Sequence, residues 1–294
     1  METIIGSEVF RNALFEGAVA AVLCAAVGYF MVLRSMTFAG EALTDIGFAG
    51  ASGGVLIGLG PLWGMVGLGL LAVLTLGGLS EKIRGRDVEI GMTLSFALGL
   101  GVLFLSLFSS GSGSHASGGV GLLFGSLMSV TTGILWTSFG VALFVLAALT
   151  FLFRPLLFSS IDPATARARG VPIRALGLAF LFLLALTTAV CVQAMGVLLS
   201  AALLVAPAGA AHNLRKSPLT TLVLSLIFSL AITGLGLAFA FFGPLSKAPV
   251  GFYICFFAAL LYGISVLFGG SGRLPQEPEH HHHETIEPDS GASL

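Results

Sequence analysis

Two uninterrupted stretches limit what this chain can fold into: between Glu89 and Arg154, and again between Arg174 and Arg215, there is no Asp, Glu, Lys or Arg. Crossing a bilayer as a helix takes roughly 20 apolar residues, so each gap has room for two crossings. Hydrophobic residues fill 56% of the 294 positions and charged residues 9%, about a third of the roughly 25% usual in soluble domains. The chain therefore reads as an all-α integral membrane protein, a polytopic helical bundle.

Nine apolar stretches are long enough, or nearly so, to span. They lie near 12–33, 39–59, 62–79, 90–109, 133–153, 175–193, 195–212, 219–242 and 250–269. The close spacing around Gln193-Ala194-Met195-Gly196 leaves eight crossings as the alternative, with one stretch re-entrant or broken inside the protein. With the N-terminus outside, 11 of the 13 basic residues fall on the cytoplasmic side and only Arg11 and Lys247 fall outside, as the positive-inside rule requires. Residues 1–271 then form the transmembrane domain. Residues 272–294 form a disordered cytoplasmic tail rich in His and Glu.

Within the apolar frame a few residues are costly enough to need a reason. Glu41 and Asp45 stand four apart in the glycine-rich second stretch, on one face of a helix. Charges inside membrane segments usually serve transport, which makes this pair the candidate site on a translocation path. The plainer reading is a pair of interfacial charges near Arg34. Glu16, little more than a turn into the first stretch, is expected to reach water as an interfacial charge, with a part in the entrance to a transport path as the alternative. Cys24, Cys191 and Cys255 show no Cys-x-x-Cys spacing and read as small buried hydrophobes. The N-terminus has no basic n-region, so the first stretch is expected to stay in the mature protein.

Two loops and the tail add further candidates. The segment from Ser109 to Gly119, with His115, is flexible by composition. In the segment from Ser160 to Pro172, Asp162 is a good N-cap and Pro163 suits the first helical position. Arg167 and Arg169 are helix formers, and Gly170 with Pro172 ends the run. A short basic cytoplasmic helix follows. His280, His281, His282 and His283 form four adjacent imidazoles flanked by acids, a weak metal-binding tail; the plainer reading is a chance polar tail.

Several motifs, taken in order, resemble the permease subunit of the zinc/manganese/iron-type ABC importers. They include Arg11-Asn12-Ala13-Leu14, Val32-Leu33-Arg34-Ser35-Met36 leading into Gly40-Glu41-Ala42-Leu43, and Glu89-Ile90-Gly91-Met92. Asp162-Pro163 with Ala166-Arg167-Ala168-Arg169-Gly170 follows, and then Gln193-Ala194-Met195-Gly196-Val197 continuing to Pro207-Ala208. The resemblance implies a homodimer in a bacterial cytoplasmic membrane, fed by an extracytoplasmic metal-binding protein and driven by a cytoplasmic ABC ATPase. It makes Asp162, Pro163, Arg167, Arg169 and Gly170 the helix that couples to that ATPase. The family usually reads Gly-Asp-Ala-Leu-Ser-His where this chain has Glu41 and Asp45 in place of Asp and His. Oxygen-only ligands suit manganese or ferrous iron better than zinc.

The residues also exclude functions. None of Lys82, Lys216 or Lys247 follows a glycine, so there is no P-loop and the chain hydrolyses no ATP itself. No His-Glu-x-x-His marks an intramembrane metalloprotease, and the basic residues form no extended nucleic-acid patch. No permanent cofactor is expected; the divalent metal is cargo. An ion-coupled secondary transporter is the alternative, with few buried charges to serve it.

Overall fold

The computed structural model describes residues 8–79, 86–111, 131–214, 217–242 and 250–268. All regular structure among them is helical, in the order α1 (Glu8–Leu33), α2 (Thr37–Leu56), α3 (Pro61–Leu79), α4 (Arg86–Gly111), α5 (Thr132–Ile161), α6 (Pro163–Ala168), α7 (Ile173–Met195), α8 (Val197–Leu214), α9 (Pro218–Phe242) and α10 (Val250–Phe268). The polytopic helical bundle read from the sequence is therefore the fold. Seven of these helices are long and apolar enough to cross a membrane: α1, α4, α5, α7, α8, α9 and α10. Of the remaining two expected crossings, α2 carries Glu41 and Asp45 among many small residues, which lowers its apolarity, and α3 is apolar along the whole of Pro61–Thr75.

α1 is one hub, packed against α5, α7, α8 and α9. Its contact with α9 is an antiparallel ladder built on four-residue spacing. Ser225 and Ser229 donate to the carbonyls of Ala25 (3.4 Å) and Ala21 (2.8 Å), and one turn further Thr233 faces Gly17. Small residues let the two backbones approach, and hydroxyls on the opposite helix use the carbonyls so exposed. At the other end Phe30 meets Phe153 of α5 and Phe180 of α7 edge-on at 5.4 and 6.4 Å. The Arg34 guanidinium lies 5.5 Å over the Phe180 ring.

α2 is the second hub, against α3, α4 and α7. α2 and α3 form a hairpin whose turn needs two positive-φ glycines, Gly58 (φ 76°) and Gly60 (φ 80°). Gly50 and Gly54 of α2 meet Gly60 and Gly64 backbone to backbone: a Cβ on Gly54 would stand 2.6 Å from the Gly60 carbonyl oxygen. Only glycine fits at such a crossing.

The doubtful point between the sixth and seventh stretches resolves into two separate helices. α7 and α8, of 23 and 18 residues, are joined by Gly196 alone. Its φ of 85° and ψ of 166° lie in a region open essentially to glycine. Outward faces carry large apolar residues such as Trp63, Phe96, Trp136 and Phe151, which suits a hydrocarbon solvent.

Candidate translocation site

The connection from α1 to α2 is short and tightly bonded, with Ser35 at φ 53° and the Met36 amide donating to the Met31 carbonyl at 2.9 Å. This turn brings the start of α2 back beside the end of α1. A Cβ on Gly40 would fall on the Met31 sulfur, so the glycine sets how closely the two helices can meet there. Thr44, one turn further, donates to the Gly40 carbonyl at 2.9 Å and is fully buried.

A cavity of about 270 Å³ opens at this junction. Met31 of α1, Thr37 and Glu41 of α2, and Ala202, Leu204 and Val205 of α8 are among its walls. Glu41 is exposed in the single chain and Asp45, one turn on, is half-buried. Four-residue spacing sets both carboxylates on one face of α2, as expected. Only Glu41 reaches the cavity wall. The α8 wall is made of small and aliphatic side chains around Pro207, which has no N–H for the carbonyl of Leu203. The sequence motifs included this run, but its facing of Glu41 is a tertiary fact. The signal available was the density of alanines between Ala201 and Ala211.

No group of three or more His, Cys, Asp or Glu side chains among the described residues is placed to hold a metal ion. One chain thus brings two carboxylates to this face, fewer than the six or so oxygens a hard divalent ion prefers.

Glu16 differs from expectation. It is fully buried, with no hydrogen bond of good geometry to either carboxylate oxygen. It faces the Ser138 hydroxyl of α5, in a register fixed by the neighbouring Phe15–Phe139 ring contact at 5.9 Å. The parallel packing of α1 on α5, which pairs Phe15 with Phe139 and Phe30 with Phe153, takes it out of reach of water.

The helix read between Ser160 and Pro172 is present as α6. Asp162 caps it, accepting from the Thr165 amide at 2.9 Å, with Pro163 at the first helical position. It ends in a Schellman arrangement: Val171 N–H to Ala166 C=O at 3.1 Å, Gly170 N–H to Arg167 C=O at 3.0 Å, and Gly170 at φ 78°. Ala166 is buried while Arg167 and Arg169 are exposed, and the Arg169 guanidinium lies 5.8 Å over Phe158. Hydrogen bonds from Thr165, hydroxyl and amide, hold the Asp162 carboxyl below the usual carboxylate range. Because its folded value is depressed, the cap is intact above the unfolded aspartate value of about 3.9 and is lost as pH falls through the lower folded value. Hydrogen exchange should therefore find the α6 amides as protected at about pH 5 as at neutrality. Asp162→Ala should speed exchange at Thr165 at both.

His212 is exposed in the last turn of α8. His115 and the tail histidines His280, His281, His282 and His283 lie outside the described residues.

With this geometry in hand, comparison with known proteins is decisive at the family level. The profile of the ABC 3 transport family matches residues 6–269. The chain belongs to that family. The resemblance read from its motifs thus holds, and this ABC 3 family member is a multi-pass permease. It is 28% identical to the manganese transport system membrane protein MntC of Halalkalibacterium halodurans, over 91% of this chain and 89% of that protein. It is 30% identical to the manganese import system permease protein ScaB of Streptococcus gordonii, over 87% of this chain and 89% of that one. Among solved structures, PsaBC from Streptococcus pneumoniae in complex with Fab includes a chain that superposes with a TM-score of 0.79 at 27% identity, covering 90% of this chain and 93% of that chain.

Proposed function

We propose that this ABC 3 family permease imports a divalent transition metal, manganese before iron or zinc, using ATP hydrolysed by a separate cytoplasmic subunit. The observation that carries the reading is Glu41 at the wall of the cavity between α1, α2 and α8, in a chain matched along its length by relatives named as manganese permeases. Carboxylate oxygens are hard ligands and suit manganese, whereas zinc favours nitrogen and sulfur.

Two carboxylates from one chain become four when a second copy faces the first across a two-fold axis. Their mutual repulsion makes the empty site costly, and a dication relieves it. The metal is delivered by an extracytoplasmic binding protein and leaves to the cytoplasm as the two permeases alternate in access. α6, capped and rigid, meets the ATPase. The tail histidines act as weak acceptors of metal on the inner side, and truncation after residue 271 tests that role by leaving or changing metal sensitivity.

The test is competition in reconstituted uptake, with manganese, ferrous iron and zinc offered together. Manganese should displace the others; preferential zinc uptake would contradict the assignment. A second expected result concerns α6. Arg167 is exposed at its surface, so Arg167→Glu should leave folding intact and reduce uptake by weakening the contact with the ATPase. Equal uptake, with equal stimulation of ATP hydrolysis, would remove α6 from the coupling path.

A further inference from the structure

Two of the three cysteines, 167 residues apart in sequence, meet in the middle of the bundle. The Sγ atoms of Cys24 on α1 and Cys191 on α7 lie 3.1 Å apart. Both residues are free thiols and fully buried. The Cys191 sulfur also lies 3.9 Å from the carbonyl oxygen of Ala20, one turn before Cys24, so α7 is seated directly on this turn of α1. A disulfide bond is about 2.05 Å long, so roughly 1 Å of approach separates the pair from a covalent bond. The third cysteine, Cys255, is half-buried on α10.

We propose that Cys24 and Cys191 are an oxidisable pair that a small uncharged two-electron oxidant converts to a disulfide, stapling α1 to α7. With hydrogen peroxide the step balances as two thiols and one peroxide giving one disulfide and two waters. One sulfur attacks a peroxide oxygen, releasing water as the O–O bond breaks, and the second sulfur displaces the hydroxyl of the resulting sulfenic acid as another water. Burial in hydrocarbon slows the first attack, because the thiolate is the nucleophile, and it excludes charged oxidants altogether. The second attack is intramolecular and fast, because its partner is already in contact.

The staple would sit where movement matters. Cys191 lies five residues before Gly196, where α7 gives way to α8 at φ 85°. On α1, Gly28 lies one turn beyond Cys24 and packs on the Leu204 carbonyl of α8, and Met31 lines the cavity. α1 therefore touches both sides of the glycine break. With the thiols free, it can follow either helix when the cavity opens; once oxidised, it is held to α7.

The test uses the full chain reconstituted with its ATPase partner and treated with hydrogen peroxide. The protein is then denatured with an alkylating agent present, so that every free thiol is blocked, and digested for mass spectrometry. The expected result is a crosslinked Cys24–Cys191 peptide with Cys255 still alkylated. Dithiothreitol should reverse the link, and Cys24→Ser or Cys191→Ser should prevent it. Cys24 and Cys191 both alkylated after treatment, or each oxidised separately, would overturn the proposal; the wild-type digest decides this even if a variant folds poorly. The second readout rests on the transport reading: uptake should fall in proportion to the crosslinked fraction and return with dithiothreitol. Undiminished uptake by crosslinked protein would overturn the staple as a restraint on transport. Absence of uptake before oxidation would contradict the transport reading alone, leaving the digest to judge the pair.

Discussion

Manganese uptake by the double variant Glu41→Gln, Asp45→Asn is expected to fall by at least the roughly 10- to 100-fold that follows loss even of groups supporting a metal ligand. Both substitutions keep side-chain shape and remove charge, so the cavity keeps its outline while the attraction for a dication goes. α2 itself does not depend on these carboxylates. It is held by close glycine contacts with α3 and by Gly53 against Phe104 of α4, where a Cβ would come to 3.1 Å of the ring. Expression and thermal unfolding of the variant should match the parent, so that radiolabelled uptake reports the site rather than the fold. Normal uptake at normal expression would reduce Glu41 and Asp45 to interfacial charges.

Gly64→Val should have the largest effect on the fold. A Cβ at position 64 would fall on the carbonyl oxygen of Gly50 and 2.8 Å from the Cα of Gly54. Both are backbone atoms and cannot rotate away, so α2 and α3 must part. The cost is at least the roughly 1–3 kcal/mol of an overpacked core, and it falls on the hairpin that carries Glu41 and Asp45. Gly67→Ala, on the same helix, is the control: nothing lies within 4 Å of a Cβ there. A monodisperse peak and an unchanged unfolding midpoint for Gly67→Ala, against a lowered midpoint or aggregation for Gly64→Val, is the expected pattern in detergent. Equal midpoints would show that α2 and α3 do not pack as closely as described.

Features carried by neighbours in sequence were legible before the structure. Asp162, Pro163 and Gly170 fix both ends of α6 through local hydrogen bonds and one positive φ. Glu41 and Asp45 share a face because a helix repeats every 3.6 residues. Features that depend on which helices meet were not legible. Glu16 was expected to reach water, yet the packing of α1 on α5 seals it against Ser138. The alanine-rich run around Pro207 that walls the cavity is open to two readings in sequence, since small residues serve both a close helix contact and a smooth passage. The contact of Cys24 with Cys191 had no signal in spacing, because 167 residues separate them. The lower apolarity of α2 comes from Glu41, Asp45 and the glycines that meet α3 backbone to backbone, and it does not remove the helix from the bundle.

The most direct test of the account is metal uptake into proteoliposomes holding this permease with and without its ATPase partner, with ion gradients collapsed by ionophores. The account predicts manganese accumulation that requires ATP and the partner subunit and is indifferent to collapsed gradients. Accumulation that proceeds without ATP and stops when the gradients are collapsed would contradict it and identify an ion-coupled carrier instead.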